Sequence, residues 1–250
     1  MHIIFGNYGN NSIALIQWAY ENKLTEVSVV HVETGWAAQE WAEQVQRGQT
    51  LARRYGFTPI TLAAPATFQQ LVLDRGRFPS HKFQWCAGFL KGLPLIEWLD
   101  EVDASATATI LLGSRRADSR ARMQLPEFIE SSEHFGERRI WHPLFKQDDL
   151  TRNALIQRAG IEVLAHRSLE CDPCIHSQIG DLQRLSLGTC QRVANLEKQV
   201  QQPLFAPETF GNAQNIEQAV VWAKQQPRMT DTHSLEKFDL GCGAFFACGE

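Results

Sequence analysis

Three groups of residues in this chain have the types and spacing for chemistry. The first is the turn Gly6-Asn7-Tyr8-Gly9-Asn10-Asn11-Ser12, which follows the apolar run Ile3-Ile4-Phe5 and leads into Ile13-Ala14-Leu15-Ile16-Gln17-Trp18. Gly and Asn tolerate positive φ, so successive backbone N–H groups of such a turn can face one concavity. Ser12 reads as the helix N-cap, and the helix dipole adds partial positive charge there. A strand, a Gly/Asn turn and a helix start together make a phosphate site. The same residues also describe an ordinary βα turn.

The second group is cationic. Gly113-Ser114-Arg115-Arg116-Ala117-Asp118-Ser119-Arg120-Ala121-Arg122 places four guanidinium groups within eight residues. Arginine forks match phosphate and sulfate oxygens bidentately. The other reading is a basic loop paired with Asp118 and surface acids. Arg138, Arg139 and Lys146 extend the candidate patch, and Lys91, five residues after Cys86, can place a cation near both phosphate and sulfur.

The third group is sulfur. Cys171-Asp172-Pro173-Cys174 is a CxxC knuckle, Cys190 follows after fifteen residues, and Cys86 lies far upstream. Four soft ligands of this kind suit Zn or an iron–sulfur cluster. Buried thiols with one redox pair are the alternative. His166 and His176 flank the knuckle, and either can stand in as a ligand for Cys190. Cys242 and Cys248, near the end of the chain, suit sulfur relay or redox exchange rather than static ligation, or are fortuitous. His142, among apolar residues, reads as structural, and Trp18, Trp36, Trp41 and Trp85 read as core or lid.

Positioning these groups requires an α/β scaffold. Residues 26–32, 58–62 and 106–112 join 3–5 as strands, with a helix over roughly 37–55. Strands separated by helices imply a parallel sheet with right-handed crossovers, and ligands then sit beyond the carboxyl ends of the strands. That rim carries the 6–12 turn, Glu33-Thr34-Gly35 and the arginine loop. Further helices are expected over 148–158, over 178–201 with a break near Gly188, and over 216–224. The reading is a nucleotide-binding α/β domain over 1–165, a cysteine-containing helical region over 166–225 and a Gly/Cys-rich tail over 226–250.

Composition narrows the classes. The 250 residues are 44% hydrophobic, enough for a sizeable core. A net charge of -4 gives no global basic field, so any nucleic-acid contact must come from a local patch. No stretch approaches the ~20 apolar residues of a membrane span. With no signal peptide evident, the expectation is a cytoplasmic protein with no membrane partner, whose six cysteines serve metal or thiol chemistry rather than a disulfide framework.

Asn7 to Ser12 resembles a divergent PP-loop of the adenine nucleotide α-hydrolase superfamily. More narrowly, the order of motifs is similar to that of phosphoadenosine phosphosulfate (PAPS) reductase-like proteins: PP-loop, Glu33-Thr34-Gly35, Trp85-Cys86 through Leu90-Lys91, the 113–122 arginine motif, Trp141-His142-Pro143-Leu144, then Glu170-Cys171 and Cys174. The resemblance implies a Rossmann-like fold and, in cluster-bearing members, either an assimilatory reductase or an ATP pyrophosphatase of DNA phosphorothioation systems, Dnd- or Ssp-type. The latter are supplied with sulfur by a cysteine desulfurase. Departures are Asn7, Tyr8 and Asn11. Tyr8 is expected to crowd the phosphate, and Asn11 removes a carboxylate that helps hold Mg²⁺.

The resulting expectation is an ATP pyrophosphatase that activates an acceptor, DNA or alternatively tRNA, for sulfur insertion. Gly6, Asn7, Tyr8, Gly9, Asn10, Asn11 and Ser12 would take the phosphates of Mg²⁺-ATP, with Arg120 and Arg122 assisting and Glu33, Thr34 and Gly35 near the adenosine. Lys91, Arg115 and Arg116 would neutralise the leaving pyrophosphate. A [4Fe–4S] cluster, or Zn, would sit on Cys86, Cys171, Cys174 and Cys190. The rivals are a PAPS or APS reductase with Cys248 as nucleophile, and a non-catalytic nucleotide-binding scaffold for a desulfurase. A homodimer is compatible with the sequence.

Overall fold

A computed structural model describes residues 1–227. Strands β1 (His2–Phe5), β2 (Val27–Glu33), β3 (Thr58–Ala63) and β4 (Thr109–Leu112) form the parallel sheet expected from the sequence. β6 (Arg138–Trp141) continues it beyond β4, and β5 (Phe128–Ser132) pairs antiparallel with β6 at the edge. The order is β3-β2-β1-β4-β6-β5. β5 and β6 go beyond the sequence reading, because Glu130, Arg138 and Arg139 interrupt the apolar alternation of short edge strands.

The central strands are apolar on both sides, as a sheet covered on both faces requires. In register, Ile4 lies opposite Val29 and Leu111, while Phe5 lies opposite Val30 and Leu112. Ile4, Val29 and Leu111 pack against α1 (Asn10–Glu21), α2 (Trp41–Arg54) and α6 (Asp149–Arg158). Ile3, Phe5, Val30, Ile110 and Leu112 face the opposite layer, against Leu95 and Leu99 of α5 (Leu93–Val102).

Between β3 and β4 lie α3 (Phe68–Arg75), α4 (Trp85–Ala87) and a π-helical turn over Gly88–Gly92 that runs into α5. Beyond α6, the chain forms α7 (Ile179–Arg184), α8 (Leu187–Val200) and α9 (Ile216–Gln225). The break expected near Gly188 falls at Leu185-Ser186 instead, because the Ser186 hydroxyl accepts from Thr189 N–H at 3.0 Å and caps α8. Buried Glu197 of α8 accepts from Leu204 N–H at 2.8 Å and Ile216 N–H at 2.9 Å, stapling the α8–α9 connection and the start of α9. These helices share one apolar core with Trp36, Phe68, Phe78, Trp85 and Leu90 of the preceding part of the chain. Among the described residues no helix is long and apolar enough to cross a membrane. The tail expected over 226–250, with Cys242 and Cys248, falls beyond Pro227 and so outside the described residues.

Candidate nucleotide site at the carboxyl rim of the sheet

β1 pairs with β2 on one side and β4 on the other, so the chain leaves the sheet in opposite directions at this point. Such a switch point opens a crevice at the carboxyl ends. The turn following β1 sits there. Gly6 N–H donates to Val30 O at 3.1 Å, and a Cβ on Gly6 would lie 2.5 Å from Ser12 Oγ. The expected N-cap role of Ser12 is not what forms. Gly9 is the N-cap, α1 starts at Asn10, and Ser12 turns back across the loop. Its hydroxyl accepts from Asn7 N–H at 3.1 Å and donates to Asn7 Oδ1 at 3.2 Å, while Gly9 N–H donates to the same oxygen at 2.9 Å. Two loop amides are therefore consumed internally. α1 thus begins directly at the carboxyl end of β1, which brings the positive end of its dipole to this rim.

Tyr8 corrects a second expectation. Its φ is 61°, yet its ring is 1% exposed and packs in the core against α2, where a Cβ on Gly48 would lie 2.1 Å from Tyr8 Cδ1. The ring therefore points away from the crevice and does not crowd a phosphate. Gln44 Nε2 donates to Tyr8 O at 2.9 Å and holds the strained residue. Asn10 clamps Leu164 at both ends, its Nδ2 donating to Leu164 O at 2.9 Å and its Oδ1 accepting from Leu164 N–H at 3.0 Å.

The arginine loop packs directly on this turn. Gly113 has no room for a side chain, since a Cβ would lie 3.0 Å from Asn11 O. Asn11 Nδ2 donates to Asp118 Oδ2 at 3.0 Å. Where a carboxylate was expected to help with Mg²⁺, the amide thus binds a carboxylate of the arginine loop. Arg115 is 2% exposed, and its guanidinium donates to Asp118 Oδ1 at 2.6 Å and Asp149 Oδ1 at 2.8 Å. Burial opposes its charge, but Asp118 and Asp149 outweigh that and hold its pKa above the ordinary value. Arg115 thus follows the paired-loop reading. Arg122 lies 3.7 Å from Asp118. Arg116 and Arg120 are exposed, with Arg116 Nε donating to Leu125 O at 2.8 Å. Arg138 leaves the candidate patch: it is 1% exposed, and its Nε donates to Asp103 Oδ2 at 2.8 Å, bracing β6 against the end of α5. Arg139 pairs with Glu130, and Lys146 Nζ sits 4.9 Å from the Phe145 ring centroid. His142 is buried, with Nδ1 3.0 Å from Pro126 O, as a structural histidine should be.

Beneath the rim lies a buried ionic network. Lys91, on the π turn, pairs with Glu170, and both side chains are under 5% exposed. His31 Nδ1 lies 3.7 Å from Glu170 Oε1, beyond hydrogen-bond range. Burial pushes His31 below its ordinary pKa against the opposing pull of Glu170. Thr34 Oγ1 donates to Glu170 O at 3.2 Å, Ala38 N–H to Leu169 O at 2.9 Å and Asp172 N–H to Trp36 O at 3.0 Å. Residues 34–38 are thereby laced to the knuckle segment. Gly35, with φ 66°, lies against Thr67, and Glu33 Oε1 accepts from Gly35 N–H at 3.1 Å. The sequence reading gave His31 no part in a site and used Glu170 only as the first residue of the Glu170-Cys171 motif. The available signal was a histidine inside an apolar strand, and a carboxylate preceding a cysteine.

Cys86, Cys171 and Cys174 are partly buried against the helical core, and Cys190 lies within it. Among the described residues no three His, Cys, Asp or Glu side chains gather as metal ligands. Cys190 is held above its ordinary pKa by burial, with Glu217 and Glu197 adding to the effect, which suits a protonated core thiol. The four thiols therefore do not fit a preformed four-sulfur site. His166 Nδ1 is 2.8 Å from Arg167 O. His176 is 3% exposed, stacks near His81 with centroids 4.7 Å apart, and is pushed down to about 4 by burial, then by His81 and Arg167. Trp36, Trp41 and Trp85 are core residues.

Comparisons with known proteins follow this geometry. Residues 2–171, more than half of the chain, match the profile described as the phosphoadenosine phosphosulfate reductase domain. A protein of Escherichia phage 186, described as an uncharacterized 37.8 kDa protein in the gpa 5′ region, is 27% identical over 169 residues, 62% of this chain. The chain spans 46% of that protein's length. The crystal structure of phosphoadenylyl-sulfate (PAPS) reductase from Candida auris, a phosphate complex, covers 65% of this chain and 74% of its own, at TM-score 0.46 and 14% identity. With its profile match running from the first strand through the arginine loop to Cys171, the chain belongs to the phosphoadenosine phosphosulfate reductase domain family.

Proposed function

We propose that the chain binds ATP at the turn of residues 6–12 and cleaves it between the α and β phosphates. The observation carrying this reading is the position of that turn at the β1/β4 switch point, where α1 begins, with glycines at both close approaches, Gly6 and Gly113. An acceptor oxygen would attack the α phosphorus and release pyrophosphate. The terminal sulfur of a desulfurase persulfide would then displace AMP, and a thiol would cleave the resulting acceptor–S–S–enzyme bond, leaving sulfur on the acceptor, a nucleic acid, and a disulfide between the two thiols. Arg116 and Arg120, both exposed, supply positive charge toward the leaving group. Arg115, neutralised by Asp118 and Asp149, and Lys91, neutralised by buried Glu170, hold the loop and the rim in place. Mg²⁺ enters as the counter-ion of the nucleotide, and no step runs through a cluster. The test is incubation with Mg²⁺-ATP, with and without a sulfur donor and nucleic acid, followed by assay of AMP and pyrophosphate. Absence of both products under every condition rejects the proposal.

The family profile itself favours a second reading, reduction of an adenylylated sulfate. Cys248, the expected nucleophile there, lies outside the described residues. Sulfite release that Cys248→Ala abolishes supports this reading, and release that survives the substitution removes the proposed nucleophile.

A further inference from the structure

One stretch of surface departs from the charge of the whole. Between Asp74 and Glu97 the chain carries Arg75, Arg77, Lys82 and Lys91 and no carboxylate, in a protein of net charge -4. Lys91 is spent on Glu170. The other three make no ion pair among the described residues, and Arg77 and Lys82 are exposed. Asp74, which precedes the stretch, accepts from the Gln70 side chain at 2.8 Å.

Aromatic rings accompany these cations. The Arg75 guanidinium lies 4.8 Å from the Trp85 ring and 4.5 Å from the Phe89 ring, and Arg77 lies 6.0 Å from the Phe83 ring. Phe83 is 55% exposed and Phe89 44%, and Leu93 one turn along is also exposed. Buried rings connect the patch to the segment that follows β2 at the rim. Trp85 stacks on Phe68 with centroids 6.0 Å apart, Phe68 meets Trp36 at 4.6 Å, and Phe68 N–H donates to Thr34 O at 3.2 Å.

The geometry points to a docking surface for single-stranded nucleic acid, formed by Arg75, Arg77, Lys82, Phe83 and Phe89. Exposed rings held beside guanidinium groups offer a face to unpaired bases, while the cations follow the phosphates. An acidic peptide would satisfy the cations but leave the rings without a partner, and a duplex would keep its bases stacked away from them. This surface gives the acceptor of the proposed reaction its place and rests on that reading for its purpose, although binding is measurable without it.

The experiment is a fluorescence anisotropy titration of labelled single-stranded DNA, single-stranded RNA, duplex DNA and heparin at several salt concentrations. Substitutions at exposed positions test the parts without disturbing the core. The Phe83→Ala/Phe89→Ala variant should weaken single-strand binding by roughly 5- to 150-fold per ring and leave heparin unchanged. Arg77→Gln/Lys82→Gln should weaken every polyanion and lower the log–log salt slope by about 1.4. The DNA and RNA arms decide which strand is preferred. No binding, heparin bound as tightly as the single strand, or indifference to losing both rings each overturns the inference. ATP cleavage without nucleic acid should be the same in all variants. Strand binding that depends on the patch, in a protein that never cleaves ATP, would leave this surface standing and reject the enzyme reading.

Discussion

Lys91 and Glu170 form an ion pair whose two side chains are each under 5% exposed, so neither charge can retreat to water when the other is removed. Lys91→Met leaves a buried carboxylate and Glu170→Leu a buried ammonium, each expected to cost about 3–5 kcal/mol. For a domain of this size that lowers Tm by roughly 6–20 °C. The double variant replaces the pair by apolar volume and should lie within about 1 kcal/mol of the parent or above it, giving a coupling energy of at least about 5 kcal/mol. The two single variants also differ in their pH dependence. With Lys91 gone, the folded state gains by taking up a proton at His31, 3.7 Å from the lone carboxylate, so the deficit shrinks as pH falls. With Glu170 gone, the folded state gains by losing the Lys91 proton, so the deficit shrinks as pH rises. Urea unfolding followed by tryptophan fluorescence between pH 5.5 and 8.5 measures both effects. Two small, additive losses with parallel pH slopes would refute the claim that the pair is a buried, mutually dependent unit.

Other substitutions probe the turn and the sheet. Gly48→Ala gains about 1 kcal/mol of intrinsic helix propensity, but its Cβ falls 2.1 Å from the Tyr8 ring, and overpacking of that kind costs about 1–3 kcal/mol or more. The net expectation is a lower Tm, and a variant more stable than the parent would show that Tyr8 does not pack there. Tyr8→Phe keeps the ring and removes a buried hydroxyl that has no hydrogen-bond partner among the described residues. It should raise stability by about 1 kcal/mol by calorimetry, and a clear fall in Tm would reveal a missed partner. Burial depresses the pKa of His31 in the folded state, so its contribution to stability is present above the unfolded value near 6.5 and is lost as pH falls. His31→Gln should therefore flatten the fall in stability between about pH 7.5 and 5.5, and an unchanged slope would assign that fall to other groups.

Local chemistry made much of the scaffold legible. Alternation of apolar runs with helical segments is enough to give β1 to β4 and the parallel sheet: β1, β2 and β4 are covered on both faces and so mostly apolar, while β3, at the edge, is read from its short β-branched run. The edge pair β5 and β6 escaped because Arg138 looks like a surface cation in sequence. Only the fold shows it buried on Asp103, 35 residues earlier. The helix start at Asn10 escaped for a similar reason: Ser12 has the chemistry of a cap, but Asn7 claims its hydroxyl first.

The sequence by itself determined the residue types available for anion and thiol chemistry, their order along the chain, and the βα turn at Gly6, since these depend on composition and neighbours. The tertiary structure alone decided which charges remain available to a ligand. Arg115 and Lys91 were attractive phosphate partners until the fold set Asp118, Asp149 and Glu170 against them, and Tyr8 was an obstacle until its ring turned into the core. Among the described residues, Cys86, Cys171, Cys174 and Cys190 meet at one hydrophobic core, and no three His, Cys, Asp or Glu side chains gather as ligands. The Arg115–Asp118 pair, three positions apart, is one that the sequence could offer. The rest of the charge pairing and burial is set by distances of a few ångströms between residues tens to more than a hundred positions apart, and a linear pattern carries no record of those distances.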